Sequence, residues 1–167
     1  MSWYLNVVPL HDAVRDGGPG WAALADSARG LPDHAPGPQP ARVLDVLGAF
    51  RAAGCHGRAL FKVSDLDAGL GLPDCPDPVT CADAGGLHLG EVLLDVAGQA
   101  DRAHPLQADA TVEGVWFRNP SGAAALHAVC ALTAVAGPLL VYGPTADEKF
   151  VVWPHDRTED LTGEWPW

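Results

Sequence analysis

The sequence predicts an α+β domain with a mainly antiparallel sheet and two principal helices on one face. Three observations point there. A helical pattern, a glycine stop and an immediate strand pattern occur twice, over residues 41–63 and 121–142. A run of aromatic and β-branched residues precedes each unit, Trp3–Val8 before the first and Thr111–Phe117 before the second. The chain has 167 residues, 48% of them hydrophobic, which suits one core and one domain spanning 1–167.

Trp3–Val8 reads as a first strand closed by Pro9. Trp21–Arg29 is Ala-rich and meets Gly30, the pattern of a short helix with a C-terminal glycine. Pro32, Pro36, Pro38 and Pro40 impose an extended connection. Ala41–Ala53 carries an apolar stripe of Val43, Leu44, Leu47 and Phe50 and ends at Gly54, so it reads as a helix. Ala59–Val63 reads as the strand after it. Residues 65–86 are rich in Gly, Pro and Asp, have no sustained period and read as an irregular loop.

Leu87–Ala97 fits a strand and also carries a helical reading, whereas Thr111–Phe117 is a clearer strand. Ser121 is placed to cap a helix over Ala123–Ala136, because its hydroxyl can accept an N–H that the first turn leaves unpaired. Gly137-Pro138 stops that helix. Leu139–Tyr142 and Phe150–Trp153 then read as an edge hairpin around a turn at 143–148, with a polar tail over 154–167. Taken in order, these elements give β-α-β-β-α-β, the ferredoxin-like order, plus an extra C-terminal strand. Right-handed crossovers place both helices on one face.

The formal charge of −11, from 21 acidic against 10 basic residues, sets the mean field against a phosphate backbone and against anionic membranes. The same field attracts a basic protein partner. The N-terminal residues lack the basic leader and apolar core of an export signal. Ala123–Gly137 is shorter than the roughly 20 residues a membrane span needs. Four cysteines without dense spacing point to a reducing cytoplasm.

The residues that could carry chemistry are scattered. Cys75, Cys81 and His88 are thiol and imidazole donors suited to zinc, with Cys55, His56 or His104 in reserve as a fourth ligand. Their spacing lacks a tight C-x₂-C knuckle. A Cys75–Cys81 disulfide and unrelated thiols stand beside the metal reading, and the sequence favours neither a metal nor any other cofactor. Arg118 and Ser121 mark a helix start that could hold an anion. His127 and Cys130 share a helix face, where packing is the simpler role. Trp153, Trp165 and Trp167 stand among acidic residues, an arrangement suited to gripping a basic surface.

No serine elbow, zinc-protease helix or dinucleotide fingerprint appears, so catalysis has no sequence support of its own. The leading expectation is a protein-binding module, an inhibitor or immunity-type partner that recognises an electropositive surface, with self-association as a further form of assembly. The alternative is a small-molecule binder or small enzyme built on the 65–88 loop and the Arg118/Ser121 helix start. That alternative calls for a pocket near Arg118 or the Cys75–His88 region.

Overall fold

The computed structural model describes residues 2–15, 36–81, 83–99, 101, 103–145 and 148–167. The helix expected over Trp21–Arg29 lies outside them, as does part of the turn at 143–148. The strands are β1 (Tyr4–Pro9), β2 (Ala41–Arg42), β3 (His56–Ala59), β4 (His88–Val96), β5 (Thr111–Arg118), β6 (Leu139–Tyr142) and β7 (Lys149–Val152). Helical residues 10–15 form the described part of α1. The other helices are α2 (Val43–Ala52), α3 (Gly122–Ala136) and the short α4 (Thr158–Leu161).

The seven strands form one sheet in the order β3-β4-β5-β1-β6-β7, with β2 paired to β5. Each pairing is antiparallel except β3–β4, which is parallel. Among the described residues, no helix is long and apolar enough to cross a membrane.

This is a mixed α+β fold with a predominantly antiparallel sheet, but the simple β-α-β-β-α-β order is not realised. β4 lies between β5 and β3, so the strand after α2 and the strand before α3 are not neighbours. Its side chains explain the insertion. Leu89, Val92, Leu94 and Val96 are buried, with Val92 opposite Phe117 and Leu94 opposite Val115. Of the two readings open for Leu87–Ala97, the strand is the one formed.

Two local expectations also shift. The strand after α2 begins at His56 rather than Ala59, because Gly54, at φ 74°, reverses the chain at once. The Cys55 N–H then reaches back to the Phe50 carbonyl at 3.0 Å. Phe61 and Val63 leave the sheet and pack against the core from outside it, as do Leu66 and Leu72. In α2, Val46 takes the inward position expected for Leu44, which is exposed. Ala41 and Arg42 pair with β5 instead of opening the helix.

The main core lies between the sheet and one helical layer. Leu5, Val7, Phe117, Val141 and Val152 meet Phe50 of α2 and Leu126, Val129 and Leu132 of α3. The Phe50 and Phe117 rings sit 5.8 Å apart, within the range of favourable aromatic pairing. Burying each large side chain contributes about 1.5–3 kcal/mol. α3 is capped as expected: Ser121 Oγ accepts the Ala124 N–H at 3.2 Å. A smaller cluster on the other face packs Leu10 and Ala13 against Leu140 and Val151.

Candidate metal centre

The parallel β3–β4 pair sets the site. Its register places His56 beside His88, the first residues of the two strands. Parallel strands need a crossover connection, and here residues 60–87 supply it, without a regular helix or strand among the described residues. A few polar contacts return that excursion to the sheet edge. The Gly57 N–H donates to the Pro73 carbonyl at 2.9 Å, which anchors the chain just before Cys75.

Asp77 shapes the next turn. Its carboxylate accepts from the Val79 and Thr80 N–H groups at 3.1 and 3.3 Å and from the Thr80 hydroxyl at 2.6 Å. The Cys81 N–H closes a helical turn on the Asp77 carbonyl at 3.0 Å, and the Gly86 N–H returns to the Cys81 carbonyl at 2.7 Å. A side chain at Gly86 cannot be accommodated as the backbone stands, because its Cβ would lie 2.2 Å from Cys81 Sγ.

These constraints bring His56, Cys75 and Cys81 together, with their ligand atoms all within 4.8 Å of one another. His56 Nε2 lies 2.8 Å from Cys81 Sγ. Zinc bonds of about 2.3 Å to sulfur and 2.0 Å to nitrogen imply tetrahedral ligand separations of about 3.3–3.8 Å, so small side-chain movements suffice to close the set. Two thiols and an imidazole select a soft or borderline ion such as zinc over calcium or magnesium. Neither thiol is in a disulfide.

His88 stands next to this trio, its ring centroid 5.8 Å from that of His56. Burial, and then the neighbouring His56, push its pKa below the usual imidazole value, which favours the neutral form that metals bind. Its Nδ1 accepts the Gly90 N–H at 3.2 Å, so the ring must turn out of that bond to become a ligand. Burial, and then the proximity of Cys75 and Asp77, raise the Cys81 thiol above its ordinary value. A metal must therefore displace a proton from it, and affinity falls as pH falls.

The reserve donors behave differently. Cys55 is buried, directs its thiol toward the Ala124 carbonyl at 3.8 Å, and has its pKa pushed up to about 12 by burial. It is a core thiol. His104 pairs with Asp101 at 3.0 Å. His56 is thus the member that joins Cys75 and Cys81. The strand start at His56, directly after the glycine stop, is the signal that singles it out.

Arg118 does not join the start of α3. It follows Phe117, whose ring faces the helices, so its own side chain turns to the opposite sheet face. There it pairs with Glu91 at 3.0 Å and lies over Tyr4, with Arg58 on the other side of Glu91 at 3.3 Å. The helix start is instead covered by the backbone of Trp167: a Cβ on Gly122 would lie 2.3 Å from the Trp167 carbonyl oxygen. Ser121 is engaged as the cap.

The indoles pack within the chain. Trp165 sits edge-on to Phe150 at 5.3 Å and to Trp167 at 4.9 Å, and Trp153 packs on the smaller cluster. Cys130 packs beside the main core. A cavity of about 630 Å³ opens elsewhere, lined by Val8, His11, Arg15, Gln39, Glu113 and Tyr142 among others. Neither Arg118 nor any of Cys75, Cys81 and His88 lines it. Comparison with protein-family models, curated proteins and solved structures returns no match.

Proposed function

We propose that this chain is a zinc-binding protein in which the metal fastens the 60–87 excursion to the β3–β4 edge. The observation that carries this reading is the convergence of His56 from β3 with Cys75 and Cys81 from the excursion, their ligand atoms within 4.8 Å of one another. In this reading the three are ligands, and His88 completes the tetrahedron after releasing the Gly90 N–H. Four protein ligands make a closed, structural centre rather than one with an open position for catalysis. Cys75 and Cys81 belong to the excursion, His56 and His88 to the sheet. The metal therefore does for this segment what burial does for the helices.

The basic-partner reading has less support from the fold. Of its named anchors, Trp165 and Trp167 pack against Phe150 and each other, and Trp153 packs on the smaller cluster. The same holds for an anion site at Arg118 and Ser121, whose side chains are separately engaged.

The test is metal content. Protein purified without chelator and passed through gel filtration is expected to carry one zinc per chain, and Cys75→Ser with Cys81→Ser none. A chelator is expected to lower the melting temperature of the parent and leave the double variant unchanged. A parent that takes up no zinc on titration, and whose melting ignores the chelator, ends this reading.

A further inference from the structure

We infer that the centre is also a thiol redox switch: oxidation of Cys75 and Cys81 to a disulfide expels the zinc and frees residues 74–86 from the sheet. The inference rests on the zinc reading and concerns what controls that site.

The argument starts from which segments each linkage joins. Zinc ties two sulfurs of the excursion to imidazoles of the sheet. A Cys75–Cys81 disulfide joins the same two sulfurs only to each other, within one short turn. Their Sγ atoms already lie within 4.8 Å of each other, and neither is bonded to another cysteine. Closing to the S–S length of about 2.05 Å asks for movements of the side chains rather than of the sheet. Without sulfur ligands, His56 and His88 alone hold zinc poorly. Residues 60–73 and Leu87 stay held by Phe61, Val63, Leu66, Leu72 and Leu87 against the core and by backbone contacts such as that from Gly57 to Pro73, so the stretch that zinc alone fastens is 74–86.

Access separates the pair from Cys55, and proximity separates it from Cys130. Cys75, Cys81 and Cys130 are half-buried, whereas Cys55 is 1% exposed, and of the half-buried three Cys75 and Cys81 are the two that lie within 4.8 Å of each other. With hydrogen peroxide the chemistry balances without another reactant. One thiolate attacks a peroxide oxygen, breaks the O–O bond, releases hydroxide and becomes a sulfenic acid. The second thiolate attacks that sulfur and displaces a second hydroxide as the S–S bond forms. The two sulfurs lose two electrons, the peroxide gains them, and zinc leaves as the unchanged divalent ion.

The experiment uses the zinc-loaded full chain treated with hydrogen peroxide. Three quantities are followed: zinc release by a chromophoric chelator, crosslinked peptides by non-reducing mass mapping, and amide exchange along the chain. One zinc is expected to leave for each Cys75–Cys81 crosslink formed. Exchange is expected to rise at least about ten-fold within 74–86 while α3 stays protected. Dithiothreitol with added zinc is expected to reverse all three. The variant Cys55→Ala with Cys130→Ala, which retains only Cys75 and Cys81 of the four cysteines, is expected to respond alike.

The switch is overturned if zinc leaves with Cys75 or Cys81 over-oxidised and no crosslink. It is equally overturned if the crosslink forms and exchange at 74–86 does not change. A chain that carries no zinc before peroxide is added fails the zinc reading itself, whereas one that carries zinc and forms no crosslink fails only the switch.

Discussion

The helical layer and the 60–87 excursion solve the same problem by different means. α2 and α3 are fixed by area: Phe50, Leu126, Val129 and Leu132 face Leu5, Phe117 and Val141 across a closed core. The excursion offers that core scattered side chains, Phe61, Val63, Leu66, Leu72 and Leu87, and leaves Val79 86% exposed. Its order comes from turns, from backbone contacts to the sheet, and from the cluster of His56, Cys75 and Cys81. Burial stabilises the first region whatever the solution contains. In the proposed reading the second depends on metal and on thiol state, and so responds to conditions that the core ignores.

Substitutions can break this contrast, beginning with the largest effect. Leu126→Asp places a carboxylate among buried apolar side chains and is expected to cost more than about 4 kcal/mol. No cooperative thermal transition in circular dichroism is the expected result, and a retained transition would show that α3 is not what the sheet packs on. Cys81→Ser is expected to remove about 2–4 kcal/mol of zinc-dependent stability while the helical signal persists. Denaturant titration with and without chelator measures it, and collapse of the whole fold would erase the distinction between the two regions.

Gly86→Ala sharpens the comparison within the excursion. The added methyl meets Cys81 Sγ, so zinc affinity is expected to fall by about 10–100-fold with the core intact. Competition against a chromophoric chelator reads that change. The smallest effect belongs to Cys55, a neighbour of the cluster that serves the core. Its thiol stays protonated to about pH 12 when folded, while an unfolded thiol ionises near 9.0. The raised folded value means its contribution is fully present below pH 9 and is lost as pH rises beyond it. Between pH 8 and 10 the parent is expected to lose about 1 kcal/mol more stability than Cys55→Ala. Equal losses in urea unfolding would show that Cys55 is not shielded.

The same contrast explains what could be read from the sequence. The helical layer was legible because side-chain periodicity carries it: Val43, Leu47 and Phe50 recur at helical spacing, Ser121 caps, and Gly54 and Gly137 stop. The position of β4 between β5 and β3 was not, because local patterns do not encode which strands become neighbours. For the centre, residue type pointed to Cys75, Cys81 and His88. His56 stood only in reserve beside Cys55 and His104. Its place follows from the parallel register with His88, and reading the strand from Ala59 left it outside the sheet. Arg118 and Ser121 lie close in sequence, yet strand alternation turns the arginine to the face opposite the helices.

β3 is short, lies at one edge of the sheet, contains Gly57 and the outward-facing Arg58, and shifts register between His56 and Arg58. A brief, bulged and charged edge is a poor template for another strand. Loosening the excursion beside it thus leaves an edge that resists fibrillar stacking. The oxidised chain is expected to stay monodisperse in light scattering, able to open this flank repeatedly without seeding aggregates.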